Sequence, residues 1–373
     1  MREINIAEII IKKRREKGVT QEELATYVGV SKASVSKWEN GNSYPDITLL
    51  PVIASYFNIT LDDLMQYSPM LSDEEVNELY VKLADLFANG PFEYAVAECE
   101  GFSKKYYHCL PLVMQIALLY INHAAMADSE ERSVEVLQEA IRLCTHVQKE
   151  SRDVKLIRQV MHYRGLCYVQ ANEPQKAIDL LSDEHGFPAQ EGDGYLMSQA
   201  YQLLGNIDKA NEVEQSEMLK GLFSLFESLI SYLRLNVGDF ETALPVFERA
   251  EQLITQYNMK QLNANSTGNF YVLAAMMYNL AGKHKEALGM LTKFTELCIH
   301  DFWPVRVQTD DFFNRLDDWL KIYARTSPLP RNEVLVNKSM LYEGLLNPAF
   351  ENLHNFSEFN KLVTQLKKFI GED

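Results

Sequence analysis

The 373-residue sequence lacks the features that mark secreted or membrane-spanning proteins. Its five cysteines are scattered without a C-x-x-C pair, which favours reduced thiols, most of them buried as small apolar side chains. The longest apolar run, residues 110–121, includes Pro111 and is too short to span a bilayer. Residues 1–18 are charged throughout and lack the uninterrupted apolar core of a signal peptide. We therefore expect a cytoplasmic protein with no membrane partner.

Motifs of catalysis and of cofactor binding are missing as well. The sequence contains no G-x-x-x-x-G-K-[S/T] phosphate loop and no H-E-x-x-H zinc motif. Its eight histidines show no spacing suited to a metal site. We therefore predict that the protein is not an enzyme and that it holds no cofactor and no metal.

Strand-like alternation of apolar and polar residues does not persist anywhere in the sequence. Apolar residues at helical spacing instead continue almost to the C terminus, which predicts an all-α fold. The length predicts two or three domains, and the Ser68-Pro69 dipeptide marks the clearest linker. We divide the chain into a first domain (1–67), a linker (68–73) and a second domain (74–373).

The net charge of −16 is unevenly distributed along the chain. Residues 1–67 carry eight basic and nine acidic side chains, a sum of −1, which leaves −15 for residues 68–373. Residues 12–37 hold seven basic side chains against three acidic ones, a local excess of four positive charges. Because nucleic acid responds to local charge, the acidic total does not exclude binding through this segment.

Signals for helix ends predict five short helices between residues 4 and 65. Gly18 suits the left-handed position that ends the first helix. Thr20 with Glu23 forms a capping box for the second helix. Gly29 opens a tight turn that needs a positive φ, and Ser31 caps the third helix. Two further N-caps are expected for the last two helices, at Asp46 and Thr60.

Three stretches share the spacing of a known DNA-binding motif: T-Q-E-E-L-A at 20–25, V-G-V-S at 28–31 and V-S-K-W-E-N-G at 35–41. The pattern closely resembles the XRE family, the helix-turn-helix class of Cro and the phage repressors, and the match continues to Leu64. The resemblance implies a five-helix DNA-binding domain whose third helix enters the major groove. It further implies a transcriptional regulator whose partner is a double-stranded DNA operator.

The resemblance also assigns DNA contacts residue by residue. The positions that face base edges in the family correspond to Lys32, Ala33, Ser36 and Lys37. The positions that contact phosphate correspond to Lys13, Gln21 and Asn40. Ser31 is counted with them because it caps the helix that enters the groove. For each lysine, a solvated surface charge is the alternative interpretation.

Two charged residues of the same domain have a different implied role. In the family, the arginine and glutamate that match Arg14 and Glu39 pair inside the domain and tie the first helix to the end of the third. The resemblance therefore implies that Arg14 and Glu39 form a structural pair. We do not expect Arg14 to contact DNA.

A repeat of helix pairs occupies the second region, most clearly over residues 158–299. Four alanines recur in the same context at spacings of 33, 33 and 44 residues: Ala177, Ala210, Ala243 and Ala287. A small residue there lets the two helices of a pair approach closely, and each pair buries its faces only by stacking on its neighbours. The pattern resembles tetratricopeptide repeats and predicts an α-solenoid. Residues 74–155 and 300–373 are interpreted as degenerate or capping repeats.

Two functions remain open for this second region. A helix-turn-helix followed by tetratricopeptide-like repeats resembles the RNPP peptide-pheromone receptors, which implies that the solenoid groove binds a short peptide effector. Alternatively, the region is a scaffold for dimerisation or for a partner protein, with no small ligand. Under both hypotheses we expect a homodimer, because a single domain of this class reads too few bases.

Repeat alignment places amide and aromatic side chains at the groove-facing positions. The residues expected to contact the effector are His162, Tyr195, Gln199, Gln202, Tyr232, Asn269, Met276 and Asn279. Amides there would hold peptide backbone, and the aromatic and apolar side chains would lie against peptide side chains. A groove plugged by the C-terminal helix, residues 358–370, would instead favour the scaffold.

Overall fold

A computed structural model describes residues 6–65, 71–303, 307, 309–323 and 331–372. Within these ranges the regular elements are helical, apart from one isolated bridge between Ser182 and Pro188, which confirms the all-α prediction. The chain forms two compact units, Met1–Cys167 and Tyr168–Asp373. The predicted linker, 68–73, falls partly outside the described residues, and the predicted domain limits remain predictions. None of the described helices is both long and apolar enough to cross a membrane.

The N-terminal segment folds as five helices around one core. They are α1 (Ile6–Glu16), α2 (Gln21–Val28), α3 (Lys32–Glu39), α4 (Leu50–Phe57) and α5 (Leu61–Met65). Ile10, Leu24, Val35, Ile53 and Leu64, one from each helix, are fully buried in this core. The helical spacing of apolar residues therefore brings all five helices onto a shared interior.

The predicted helix ends are confirmed in this domain, except at Asp46. Thr20 and Glu23 form the capping box, with the Glu23 amide donating to Thr20 Oγ1 at 3.2 Å. Gly29 ends α2 at φ +80°, a left-handed conformation that strains any residue with a Cβ. Asp46 differs slightly from expectation. It caps a single 3-10 turn, Ile47–Leu49, and α4 begins only after that turn.

Longer helices follow in the rest of the first unit. They are α6 (Asp73–Asn89), α7 (Phe92–Lys105), α8 (Leu110–His123) and α9 (Glu130–Glu150), and α10 (Val154–Gln170) extends across the limit of the unit. All five cysteines of the chain are free and buried, as predicted. Burial raises the pKa of Cys99 and of Cys144 to about 12, so both remain protonated thiols at neutral pH.

The second unit contains the predicted helix pairs. Its helices up to residue 296 are α11 (Pro174–Leu181), α12 (Gly194–Leu203), α13 (Ile207–Leu235), α14 (Phe240–Gln256), α15 (Met259–Leu262), α16 (Ala264–Leu280) and α17 (His284–Glu296). The four repeat alanines are all buried, which agrees with their predicted role at close helix contacts. Asn172, Gly205 and Gly282 have positive φ and lie in the turns that follow α10, α12 and α16.

One helix departs from the simple repeat pattern. The second helix of one pair and the first helix of the next are fused into α13, a single helix of 29 residues. Residues 211–230 contain no proline and only one glycine, Gly221, so nothing in this stretch ends the helix. Gly221 itself does not have a positive φ.

The C-terminal part of the second unit is less regular. It contains α18 (Asp317–Tyr323), α19 (Glu333–Ser339), α20 (Ser357–Ile370), two π-helical turns (Leu297–Asp301 and Met340–Leu345) and a 3-10 segment (Pro348–Asn355). Helix α20 packs against α17 and buries Phe359, Leu362 and Leu366. This packing places the C-terminal helix on the second helix of the last repeat pair.

Candidate DNA-binding surface and effector groove

Helix α3 divides its side chains into an inner and an outer face. Val35 and Trp38 are buried in the domain core. The outer face presents the four predicted base-reading residues, of which Ser36 is half-buried and the others are exposed: Lys32, Ala33, Ser36 and Lys37. This division follows from the helical period, because residues three and four apart share a face.

Two lysines of the candidate surface are paired with carboxylates. Lys32 Nζ lies 3.4 Å from Glu22 Oε2, and both side chains are exposed. Lys13 Nζ lies 2.8 Å from Glu16 Oε2, one turn away on α1. Exposed ion pairs contribute about 0–1 kcal/mol. These pairs are therefore weak enough for a phosphate or a base edge to replace them.

The two ends of α3 are held by short polar side chains. Ser31 Oγ accepts a hydrogen bond from the Ser34 amide at 3.2 Å, so Ser31 is the N-cap. Asn40 follows the last helical residue, is exposed, and has Nδ2 3.4 Å from Ser36 Oγ. Both residues therefore lie at the ends of the outward face.

Arg14 and Glu39 are in direct contact beneath that face. Arg14 Nε donates to Glu39 Oε1 at 2.5 Å and Nη2 donates to Oε2 at 3.0 Å, while Nη1 donates to the Val19 carbonyl at 2.8 Å. Their side chains are only 15% and 5% exposed. The bidentate geometry ties α1 to the end of α3 and occupies the guanidinium of Arg14.

The charge state of this pair follows from its contacts. Burial acts to raise the pKa of Glu39, but hydrogen bonds from Arg14 and Gln21 outweigh it and hold the pKa below the usual 4.5. The hydrogen bond to Glu39 raises the pKa of Arg14. Both groups are therefore charged at neutral pH.

Gln21 has a structural contact that the sequence did not reveal. Its Nε2 donates to Glu39 Oε2 at 2.7 Å, so it joins the pair as a third member. One hydrogen of the amide remains for another acceptor. Gln21 and Glu39 are 18 residues apart in different helices, and no local pattern marks such a contact.

The predicted effector residues of α12 and α13 lie at the surface of the second unit. Tyr195 and Tyr232 are 63% and 51% exposed. Gln202 is exposed and Gln199 is half-buried, with Gln199 Nε2 donating to the Tyr195 hydroxyl at 2.7 Å. These side chains supply both hydrogen-bonding groups and apolar area at an accessible surface.

Sequence reasoning missed part of this exposed surface. Met218, Leu225 and Tyr232 lie seven residues apart along α13 and are all exposed. Residues at this spacing share one face of a helix. The seven-residue spacing was the available signal, but the expectation of two separate helices concealed it.

The predicted effector residues of α10 and α16 are placed differently from one another. His162 is half-buried and belongs to the first unit. Asn269 is exposed, and Met276 is half-buried against the core of the second unit. These three residues therefore differ in how accessible they are to a ligand.

Asn279 requires a correction, because it does not face an open groove. It is only 7% exposed, and its Nδ2 donates at 2.8 Å to both the Ala349 carbonyl and Asn352 Oδ1. Its Oδ1 accepts from Asn352 Nδ2 at 3.1 Å and lies 2.9 Å from His284 Nδ1. The repeat pattern could not anticipate the contacts with Ala349 and Asn352, because these residues lie 70 and 73 positions further along the chain.

A groove plugged by the C-terminal helix would have favoured the scaffold, and the structure shows a different arrangement. The 3-10 segment before α20 covers Asn279, whereas α20 itself packs on α17. Tyr195, Gln202 and Tyr232 remain exposed. The chain therefore covers one end of the predicted set of groove residues and leaves the others accessible.

Comparison with known proteins concerns mainly the first domain. Residues 10–64 match the Helix-turn-helix family model. Over 59 residues, 16% of this chain, the sequence is 37% identical to the HTH-type transcriptional activator BcrR of Enterococcus faecalis and covers 29% of it. Over 70 residues, 19% of this chain, it is 36% identical to the antitoxin PezA of Streptococcus pneumoniae and covers 44% of it. The match thus spans less than half of either curated relative.

Several solved structures align with most of this chain at low sequence identity. PlcR of Bacillus thuringiensis, in complex with the peptide PapR7 and DNA, is 16% identical with a TM-score of 0.26, over 77% of this chain and 99% of that one. ComR of S. thermophilus, in complex with DNA and its signalling peptide ComS, is 15% identical with a TM-score of 0.20, over 79% and 92%. At these values the likeness carries no argument about function. The family match and the geometry of α1–α5 together identify residues 10–64 as a helix-turn-helix domain.

Proposed function

We propose that the protein is a sequence-specific DNA-binding transcriptional regulator and not an enzyme. The observation that carries the proposal is the outer face of α3, where Lys32, Ala33 and Lys37 are exposed while Trp38 anchors the helix. An α-helix fits the major groove, and this face offers lysine donors to bases. The phosphate contacts in this proposal are Lys13, Gln21 and Asn40.

Selection of genomic fragments by the full-length protein tests this function. Enriched fragments are then competed against random DNA at a fixed salt concentration, because salt alone changes affinity by orders of magnitude. A specific regulator binds its site roughly 10³–10⁷ times more tightly than random DNA. Equal affinity for enriched and random fragments would contradict the proposal.

The proposal includes a homodimer. Two domains on half-sites about one helical turn apart read twice as many bases as one domain. Residues 68–373 carry −15, so this part of the chain is repelled by DNA and is suited to subunit contact. Light scattering of the full-length protein, alone and on its operator, tests this. A monomer at micromolar concentration in both states would exclude it.

The proposed effector is a short peptide bound at the surface of α12, α13 and α16. Exposed Tyr195 and Tyr232 would pack against peptide side chains, and Gln202 and Asn269 would hold its backbone. The exposed apolar face of α13 adds Leu225 to this surface. Asn279 is no longer included, since the C-terminal segment occupies its amide.

Calorimetry distinguishes a peptide receptor from a scaffold without small ligand. Short peptides encoded beside the gene are titrated into the wild type and into Tyr232→Ala, with the exposed Tyr107→Ala of the first unit as matched control. Binding that Tyr232→Ala abolishes and Tyr107→Ala retains supports the receptor. A dimer whose DNA binding responds to no peptide supports the scaffold.

A further inference from the structure

A cavity of about 220 Å³ lies in the second unit, between α16 and the C-terminal segment. Its inner wall is apolar and includes Phe294, Phe302 and Met340, which are all buried. Its mouth carries the exposed amides of Asn265 and Asn269. An apolar interior with a few polar groups at the entrance is the usual composition of a small-ligand site.

Both π-helical turns of the second unit border this cavity. The first, Leu297–Asp301, contributes Cys298, and the second, Met340–Leu345, contributes Met340, Glu343 and Gly344. π-helical turns are rare and occur frequently at functional sites. Two such turns therefore meet at this one cavity.

Close packing holds the C-terminal wall of the cavity in place. A Cβ atom on Gly344 would lie 2.6 Å from Phe294 Cζ, so only glycine allows this approach. Trp303 Nε1 donates to Asn337 Oδ1 at 3.0 Å and fixes α19 beside the first π-helical turn. The cavity is therefore a built feature of the fold, bounded by contacts that a larger residue would prevent.

The charged residues at the mouth indicate the sign of the ligand. Glu343 Oε1 lies 3.5 Å from Arg331 Nη1 and is thus partly compensated. Arg234, in the last turn of α13, has no ion pair or hydrogen bond with any residue that the structure describes. A guanidinium offers a planar pair of donors that matches a carboxylate. The uncompensated charge at this mouth is therefore positive.

We propose that this cavity binds the carboxylate-bearing apolar end of a ligand. The ligand's carboxylate contacts Arg234, and its adjoining polar group hydrogen-bonds to the side-chain amides at the mouth. The ligand's apolar side chain enters between Phe294 and Met340. The volume is below the roughly 300–1,000 Å³ of drug-sized sites, which suits a single apolar residue. The source is either a free hydrophobic amino-acid derivative or the C-terminal residue of a peptide, and only the second source rests on the proposed peptide function.

Ligand-observed NMR on the full chain tests the site. The probes are N-acetyl-L-leucine, N-acetyl-L-leucinamide and the tetrapeptide N-acetyl-Gly-Gly-Gly-Leu. A charge contact to the exposed Arg234 contributes about 1 kcal/mol, so the acid should bind roughly fivefold more tightly than the amide. Arg234→Gln should remove this preference, and the exposed Arg249→Gln on α14 should retain it. Val336→Phe, which fills the cavity from α19, should abolish binding of all three probes.

The outcomes separate the inference from the proposed function. Retained tetrapeptide binding assigns the site to a peptide terminus, and loss of binding on extension assigns it to a free small carboxylate. Equal binding of acid and amide, no binding of any probe, or an unchanged preference in Arg234→Gln would overturn the site. Operator binding is measured on the same preparations, and if it is retained, failure of the ligand site does not contradict the proposed DNA-binding function. Circular dichroism verifies that each variant is folded.

Discussion

The N-terminal helix-turn-helix domain and the repeat region of the second unit are both helical, but different kinds of signal determine them. In the first, each helix begins or ends at a residue with a local reason, such as the Thr20 capping box or the left-handed Gly29. In the second, a repeat that extends over many residues determines where the helices lie. A later segment of the chain then covers part of their surface, at Asn279. Local signals therefore determine which residues face outward in the first region, whereas in the second the tertiary contacts of a later segment decide.

The largest effect is expected at the outer face of α3. Replacement of Lys32, Ala33, Ser36 and Lys37 together should abolish specific binding, a loss of about 4–10 kcal/mol, because it removes the side chains proposed to read bases. The measurement is a gel-shift titration against the selected operator. Lys12→Gln, an exposed lysine of α1, is the matched control and should retain specificity. Intact footprinting by the quadruple variant would contradict the assignment.

The sequence predicted much of this first region because its determinants are short-range. Helix caps, glycine turns and the helical period can each be recognised within a few residues of sequence. They were sufficient to predict the five helices and the outward-facing positions of α3. The structural contact of Gln21 was not predicted, because its hydrogen bond to Glu39 joins two different helices. In the second unit, burial of the repeat alanines was predictable, whereas the fused α13 and the cover over Asn279 depend on what the chain does elsewhere.

The next largest effect concerns the buried pair of the first domain. Glu39→Ala leaves Arg14 buried without its carboxylate and should destabilise this domain by roughly 3–5 kcal/mol. Glu22→Ala removes an exposed partner of Lys32 and should cost about 0–1 kcal/mol. Urea unfolding is followed by Trp38 fluorescence in a background where the other two tryptophans are phenylalanine. Equal costs for the two variants would mean that the pair is not protected from water.

A smaller effect is expected where the second unit covers its own surface. Asn279→Ala removes the bonds to Ala349 and Asn352 and should cost about 1–3 kcal/mol, because buried polar groups lose their partners. Hydrogen exchange of residues 348–370 should accelerate in this variant. Asn269→Ala, an exposed position on the same helix, should leave that exchange unchanged. The reverse pattern would restore Asn279 to the set of effector contacts.

The smallest effect is a change in the acid dependence of the first domain's stability when Glu39 is replaced. The pKa of Glu39 is lowered in the folded state, so its contribution to stability is complete above its ordinary value of 4.5 and is lost as pH falls through the lower folded value. Glu39→Gln should therefore unfold with a shallower acid dependence, measured by the same Trp38 signal below pH 4.5. Glu23 and Asp63, whose pKa values are lowered by their capping contacts with Thr20 and Thr60, should maintain some acid dependence in the variant. If the stability of the wild type and of Glu39→Gln depended on pH with the same slope, the pKa of Glu39 would not change on folding.

The most direct test of the central claim, that the outer face of α3 reads base sequence, is to repeat the genomic selection with two single variants. Lys37→Gln should recover a site altered at particular base pairs, because a changed base-reading side chain changes preference locally. Lys13→Gln, at a proposed phosphate contact, should recover the wild-type site with uniformly lower affinity and a salt dependence reduced by about one counterion. Recovery of the unaltered site by the Lys37 variant, together with an altered site from the Lys13 variant, would contradict the account.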